Sequence, residues 1–514
     1  MTESSPGIAA ALSELSSPMV PDCPRVGVVL AAGHGKRIRS ANSKMLHEIW
    51  GRPTVLRVAS AVQRGLDSDN QVIVVGIKAE EVARISGART GRSFAFQENL
   101  ASGRAAGTGD AVRVALEAFQ PSPHDRDIYV FPGDMGLLTD NVVKQFRRSF
   151  ESTAGDMMML TGTYSGSPET NYYGRIVRVP ALDADGNSSG AAEGTVIEIK
   201  EHKDILGLAG DKPYTVGQNG RTYSFTRAEL LELTEINTGV FAFKESVLRR
   251  YIPELDTANV QGEYMLTDLV RIFNSHGRTV CAVRAASEEE ILAFNVKSVW
   301  HQMQHTARRW AYERLMDTIT IADEEDFFLA EEVIEHILEL DQRCGPLDIV
   351  IGKGVYLDSG VQLNRRVHIS DRCHLTGEII LGEGVFLGPG VQLSTYPSQV
   401  MRIGDGVEIL SRNILKGNLW LGAGTRIESG VLMTGSDTFP MRVGERVIVK
   451  GTTYLYGCRI DDDVLIEHSI VQCKRIEQVR RRDGSIQPIR YVLPPPEGLD
   501  SLTPVPRCNA RRHR

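Results

Sequence analysis

From Ile351 onward the chain repeats itself every six residues. Ile351, Leu357, Leu363, Ile369, Leu375, Leu381, Leu387 and Leu393 follow one another without a break. After an insertion the register resumes at Ile403, Ile409, Leu415, Leu421, Ile427 and Met433, and again at Val443, Val449 and Leu455. Glycine or a small polar residue often comes next, as at Gly352, Ser370, Gly382, Gly388, Gly404 and Gly422. A period of six means three faces per coil, with one inward aliphatic residue per strand and a tight turn after it. The repeat therefore predicts a left-handed parallel β-helix of hexapeptide repeats over residues 346–473.

The preceding half has a different rhythm. Short apolar runs, RVGVVLAA from Arg25, QVIVVG at Gln71 to Gly76 and DIYVFPGD at Asp127 to Asp134, alternate with helical stretches at Thr54 to Gly65, Ala79 to Ile85 and Gly109 to Phe119. This alternation predicts an α/β domain on a parallel, Rossmann-like sheet with right-handed crossovers. Ligands on such sheets sit at the carboxyl ends of the strands. A glycine-rich loop after Arg25–Ala32 and Asp134 both fall there. Residues 150–235 read as a less regular substrate-binding lobe on the same sheet.

At 514 residues the chain is long enough for two or three domains. The expected divisions are 1–24, a disordered Ser/Pro/Ala-rich extension; 25–299, the α/β domain; 300–345, a helical linker; 346–473, the β-helix; and 474–514, a partly disordered tail with a triple proline at Pro494 to Pro496. A net charge of −7 argues against broad nucleic-acid binding. The basic runs at Arg480 to Arg482 and Arg511 to Arg514 read as solvated tail segments. Seven scattered cysteines, with no C-x-x-C pair, point away from a disulfide framework or zinc site and toward a reducing cytoplasm. There is no secretion signal and no run long enough to span a membrane, so no membrane partner is expected.

The loop itself is LAAGHGKR, Leu30 to Arg37, with Lys44 seven residues beyond. Gly33 and Gly35 allow backbone amides to approach phosphate oxygens, and Arg37 adds a cation with bidentate geometry. The loop matches neither the P-loop nor the dinucleotide fingerprint. Further motifs follow in order: AGTGDAV at Ala106 to Val112, Gly133–Asp134, YGRIVR at Tyr173 to Arg178, EHKD at Glu201 to Asp204, EINTGVFAF at Glu235 to Phe243, and NVQGEYMLTDL at Asn259 to Leu269. Together they resemble the sugar-1-phosphate nucleotidyltransferases. The nearest likeness is to the bifunctional N-acetylglucosamine-1-phosphate uridyltransferase/glucosamine-1-phosphate acetyltransferase family, whose members also carry a C-terminal left-handed β-helix.

The resemblance implies a uridylyl transfer from UTP to an N-acetyl-hexosamine-1-phosphate, N-acetylglucosamine-1-phosphate foremost, with release of pyrophosphate. Asp134 would hold Mg²⁺ with Asn295 of AFNVKS, since a hard cation wants oxygen ligands. Arg37 and Lys44 would neutralise the triphosphate as catalytic cations. Leu30, Ala31, Ala32 and Gly33 would line the nucleotide, with Gln97, Gly107 and Thr108 reading the uracil. Gly174, Glu201, Asn237 and Asn295 would hold the sugar. A homotrimer assembled through the β-helix is implied as well.

The chain departs from the family pattern in places. Ser43 stands where a proline usually precedes the lysine, the stretch from Gln97 to Gly107 is longer, GDMGLL replaces G-D-x-P-L, and Val296 follows Asn295. The acetyltransferase strings H-L-x-Y-x-G-D and N-Y-D-G are missing. His368, His374 and His468 lie in the repeat without that context, so acetyl transfer is not expected. Alternatives to the uridylyl reading are another NDP-sugar pyrophosphorylase, of UDP-glucose or dTDP-sugar type, and a non-catalytic homologue assembled through its β-helix.

Overall fold

The computed structural model describes residues 5–33, 36–97, 107–209 and 212–491. They form two compact units, Met1–Thr306 and Ala307–Arg514. The triple proline and the last basic run of the tail lie outside the described residues.

The first unit is built on a nine-stranded sheet. Arg25–Ala31 is central, with Gln71–Val75 and then Arg92–Phe96 on one side and Asp127–Pro132 on the other, all parallel. The chain therefore reverses its direction of travel across the sheet between Arg25–Ala31 and Asp127–Pro132. A crevice opens at such a switch point, outside the carboxyl ends of the two strands. Alternate residues of the buried strands feed opposite cores. Val29, Ile73, Tyr129 and Phe131 pack with Val58, Val62, Val143 and Phe146 of the helices Thr54–Leu66 and Asp140–Glu151. Val28, Val72 and Val130 pack with Val112, Leu116, Leu248 and Phe273 on the other face.

The sheet is mixed rather than wholly parallel. Glu235–Lys244 runs antiparallel between Asp127–Pro132 and Met157–Thr163. The lobe explains this. After Met157–Thr163 the chain adds Arg175–Arg178, paired to Glu235–Lys244, and Val196–Lys200 beside it as a branch of the same sheet, forms a separate hairpin of Tyr214–Gln218 with Arg221–Phe225, and returns as Glu235–Lys244. The lobe has its own small core of Val177, Ile197, Ile205, Val216, Tyr223 and Leu230.

The extension expected to be disordered carries a helix, Ser5–Leu15. Ile8 and Leu12 enter the core beside Val82 and Phe94. The next residues cover the edge strand: Ser16 Oγ accepts from Phe94 N at 3.0 Å, and Ser17 N donates to Arg92 O at 2.7 Å. An uncovered edge would leave these groups open to pairing with another chain. Leu15 packs against the same cluster, and the composition hid the helix because so few of its residues make the apolar contact.

In the second unit every aliphatic position of the repeat is buried. The strands stack into three parallel sheets of eight, eight and seven strands, one complete coil per three repeats. Ile351, Ile369, Leu387, Ile409, Ile427 and Val449 form one inward column. Leu357, Leu375, Leu393, Leu415, Met433 and Leu455 form a second, and Leu381, Ile403, Leu421 and Val443 belong to the third. This is the left-handed parallel β-helix that the spacing predicted.

Its limits are wider than the repeat suggested. Helices occupy Lys297–Leu315 and Glu331–Cys344, but Thr320–Ile321 and Phe327–Leu329 between them already pair with the first coil. At the other end Arg475–Ile476 is a last rung, and Ile489 and Tyr491 bond to Glu467, Leu465 and Ile470. The linker and the tail thus cap a coil stack whose end strands would otherwise expose unpaired backbone. His368 and His374 sit on the outer face. His374 stacks on Tyr356, with ring centroids 4.4 Å apart, and His368 on Phe386 at 5.2 Å.

Two substitutions test this packing. Leu12→Ala should lower unfolding stability by about 2–5 kcal/mol if the N-terminal helix is docked; a loss near zero in urea titration would show that it is not. Asn413 is buried, accepts from Val431 N at 2.7 Å and donates to Leu410 O at 2.9 Å. Asn413→Ala leaves those groups unpaired and should cost about 1–3 kcal/mol by the same titration.

Candidate functional site

The parallel pairing of Arg25–Ala31 with Asp127–Pro132 continues one bond beyond the strands, from Gly133 N to Leu30 O at 2.9 Å. A Cβ on Gly133 would lie 2.8 Å from Leu30 O and 2.9 Å from Met45 Sδ. Only glycine permits this approach, and it brings Asp134 against the loop after the first strand. Leu30 and Ala32 are half-buried, Ala31 is buried, and Gly33 is exposed with open space around it. His34 and Gly35 lie outside the described residues. Arg37 is exposed on the short turn Lys36–Ile38.

Lys44 is buried on the next turn, Lys44–Leu46, which Ser43 caps by accepting from Met45 N. Its ammonium donates to Asp134 Oδ2 and, at 2.8 Å, to Asn295 Oδ1, and it lies 5.4 Å from the centre of the Phe294 ring. Three residues from distant parts of the chain thus meet at one point. Two oxygens within reach of one nitrogen form a donor pair of the kind a hard divalent cation takes, with phosphate and water completing the shell. Among the described residues no group of three or more acidic, histidine or cysteine side chains could hold a metal by protein alone.

Gln97 ends the strand Arg92–Phe96 and turns back to Gly107. Its Nε2 donates to Gly107 O at 3.0 Å and to Asp110 Oδ2 at 2.9 Å. The two acceptors occupy both amide hydrogens and fix the carboxamide orientation, and Oε1 makes no bond among the described residues. Gly107 has φ +127°, and a Cβ there would lie 2.3 Å from Tyr264 O. Thr108 Oγ1 accepts from Leu266 N at 3.0 Å, and Gly109 N donates to Tyr264 O at 2.9 Å. The GTGDAV helix start and the EYMLTD segment are therefore one unit, though far apart in sequence. Residues 98–106 are outside the described residues, but the ends of that longer stretch meet.

The lobe contributes the third group. Asn237 N donates to Gly174 O at 2.9 Å. The Asn237 side-chain oxygen accepts from Gly239 N at 2.9 Å within a bulge between Asn237 and Val240, and its amide nitrogen makes no bond among the described residues. A Cβ on Gly174 would lie 3.1 Å from Glu201 Oε1. Arg175 is fully buried and pins this loop through Asn171 O at 2.8 Å and Asn171 Oδ1 at 3.0 Å. Burial, then the charges of Asp204 and Asp268, push the Glu201 carboxyl up to about 7. Burial, and then the negative charge of Asp134, raise the Tyr173 hydroxyl, which ties the lobe electrostatically to the Lys44 cluster. Glu235, in contrast, is spent on structure, in a forked pair with Arg178 at 2.7 Å and a bond from Thr161.

The sequence reading did not single out Tyr173, Arg175, Tyr264 or Phe294. All four lie inside or beside quoted motifs, which was the available signal; that they support neighbours is visible only in the packing.

A family model described as a MobA-like NTP transferase domain matches residues 27–204. The bifunctional protein GlmU of Acetivibrio thermocellus is 29% identical over 400 residues, covering 75% of each chain. That of Carboxydothermus hydrogenoformans is 30% identical over 346 residues, 67% of this chain and 66% of its own. That of Streptomyces coelicolor is 31% identical over 355 residues, 68% of this chain and 61% of its own. The chain belongs to the GlmU-like family.

It is a sugar-1-phosphate nucleotidyltransferase by its N-terminal unit, and it spans about three fifths to three quarters of the length of these GlmU relatives. The departures from the GlmU-like pattern have physical readings. Ser43 has φ −58°, the value a proline ring would impose, and its cap bond supplies the rigidity. Met135 of GDMGLL is buried in the core. Val296 is exposed, and nothing in the structure explains it.

The raised Glu201 carboxyl yields a sign. Between the ordinary value of 4.5 and about 7 the folded chain keeps a proton that the unfolded chain has lost, so this group's contribution to stability falls as pH rises through that window. Glu201→Gln removes the dependence. Its melting temperature relative to the native chain should rise between pH 5 and pH 8; a constant difference would refute the assignment.

Proposed function

We propose that the N-terminal unit transfers a uridylyl group from UTP to N-acetylglucosamine-1-phosphate, giving UDP-N-acetylglucosamine and pyrophosphate. The observation that carries this reading is the convergence of Lys44, Asp134 and Asn295 at the sheet's switch point, flanked by the Gln97–Gly107–Thr108 unit and the Gly174–Glu201–Asn237 loop.

Gln97 supports the choice of base. Its amide hydrogens are taken, so Oε1 is the group offered. Uracil presents an N3–H donor there and cytosine an N3 acceptor, which would leave two acceptors facing each other. The glycine at 107 lets this unit lie against the backbone of Tyr264, which fixes the place of Gln97 beside it. On the sugar side, the Asn237 amide nitrogen and the Glu201 carboxyl offer a donor and a titratable partner for the hydroxyl and N-acetyl groups.

The reaction needs no covalent intermediate. A phosphate oxygen of the sugar phosphate attacks the α-phosphorus, the bond to the bridging oxygen breaks, and pyrophosphate leaves with the electron pair. Positioning and charge neutralisation carry such a transfer. Lys44 and Arg37 are the cations for the triphosphate. Asp134 and Asn295 would hold Mg²⁺, which when bound neutralises the developing charge on the phosphates. We assign a homotrimeric, cytoplasmic assembly through the β-helix as part of the same reading.

Pyrophosphate release measured across UTP, dTTP, CTP, ATP and GTP with several sugar-1-phosphates tests the proposal. UTP with N-acetylglucosamine-1-phosphate should be preferred, and CTP should be rejected by about tenfold or more, the effect of one unpaired polar group. Preference for glucose-1-phosphate, or no turnover with any pair, would overturn it. Asp134→Ala should lower turnover by about a thousandfold; unchanged turnover would remove Asp134 from the metal site.

A further inference from the structure

A positive charge stands between the two oxygens assigned to the metal. The Lys44 ammonium donates to both Asp134 Oδ2 and Asn295 Oδ1. Its side chain is buried, as is most of the Asp134 side chain, and the fully buried Phe294 ring lies beneath the ammonium. The lysine enters from the Lys44–Leu46 turn, whose start is held by the Ser43 cap and by His47 Nδ1 at 3.0 Å from Ser43 O. The backbone of Lys44 is therefore anchored, while its four-carbon stem is the movable part.

We infer that Lys44 is a resident counter-cation that closes the metal site until nucleotide arrives, so that divalent metal and triphosphate bind as one coupled event. The inference rests on the reading of Asp134 and Asn295 as metal ligands given above. A hard cation bound to both oxygens, at the roughly 2.0–2.1 Å that Mg²⁺ requires, would sit within a few ångströms of the ammonium nitrogen. Two cations cannot share that pair of oxygens in a site this dry. Lys44 must move off when the metal moves on.

Moving a buried ammonium away from its carboxylate is strongly unfavourable unless another anion receives it. No other acidic side chain is bonded to Lys44 among the described residues. A triphosphate supplies the missing anion: it accepts Lys44 and offers further oxygens to the metal in the same step. Metal alone meets the cost of displacing Lys44 without that compensation. Because such coupling is reciprocal, whatever the nucleotide adds to metal affinity the metal adds to nucleotide affinity. The arrangement keeps an acidic site from filling with divalent cation when no substrate is present, and it makes the charge on Lys44 available to the phosphates only on binding.

The test uses Mn²⁺ alone as the probe, with the full chain and no nucleotide, and reads bound ion by electron paramagnetic resonance of the free ion. The native chain should bind Mn²⁺ weakly. Lys44→Met and Lys44→Gln, which remove the competing charge, should each bind one Mn²⁺ per chain about tenfold or more tightly than the native protein, within the usual range of coupling. Asp134→Asn in the Lys44→Met background should abolish that gain. Thermal unfolding of the same variants gives an independent readout, because Mn²⁺ should raise the melting temperature of Lys44→Met more than that of the native chain. Equal Mn²⁺ affinity in native, Lys44→Met and Lys44→Gln chains would overturn the inference, as would a gain that survives Asp134→Asn. The two readings fail separately. Equal affinities alongside UTP-dependent turnover in the native chain would sink the interlock and leave the proposed reaction standing. An Asp134-dependent gain without turnover would do the reverse.

Discussion

The pairing of Arg25–Ala31 with Asp127–Pro132, prolonged by the bond from Gly133 N to Leu30 O, is the contact on which the rest of the site depends. Sequence-distant strands become neighbours there because the order of the sheet reverses at that point. The reversal leaves the loop after Ala31 and the turn at Asp134 with no helix between them. Every charged group of the site then needs only to reach a place the sheet has already left open. Lys44 does so from a capped turn, and Asn295 from the residue after the buried Phe294. Glycine at 133 is required because a side chain would push the two strand ends apart.

Around that point the site is assembled from paired segments. Gly107 to Gly109 lies against the backbone of Tyr264 to Leu266, and Gly174 lies against Asn237 and Glu201. In each pair a glycine allows one backbone to touch another, and the partner supplies the polar groups. Fully buried Arg175 holds the Gly174 loop through its two terminal nitrogens, which bond Asn171 and Tyr173. The result is a rigid frame in which most side-chain polarity is already committed. Among the described residues, no bond is made by Gln97 Oε1 or by the Asn237 amide nitrogen, and these are groups the proposed substrates would meet.

The second unit follows a simpler rule. Each coil repeats the position of the last, so an inward residue stacks on its equivalents above and below. That is why Asn413 can replace an aliphatic residue inside the stack: its carboxamide bonds the backbone of the next coil, at Val431 N, and of its own turn, at Leu410 O. The outer faces carry stacked rings, among them Phe328, Tyr356 and His374. Of the histidines of the repeat that drew notice in the sequence, His368 and His374 belong to such outer stacks, while His468 sits on a turn against Thr452 Oγ1.

The β-helix was legible in the sequence because its order is local and periodic: the burial of Leu387 or Met433 follows from spacing alone. The strands Arg25–Ala31, Gln71–Val75 and Asp127–Pro132 and the helices between them were legible for the same reason, whereas the strand Arg92–Phe96 was not read from the sequence; the candidate site residues came only from the order of the motifs. Other features depended on contacts between residues far apart in the chain. The Ser5–Leu15 helix docks through Ile8 and Leu12 onto a strand some eighty residues later. The antiparallel entry of Glu235–Lys244 depends on where the lobe returns, and the first rungs at Thr320–Ile321 depend on pairing with a coil that comes after them. The sequence by itself determined the two folds and the chemical types at the site, since both are written in periods and short strings. Only the tertiary structure decided that Lys44 stands between Asp134 and Asn295, because a contact spanning two hundred and fifty-one positions has no period and is set by which strand lies beside which.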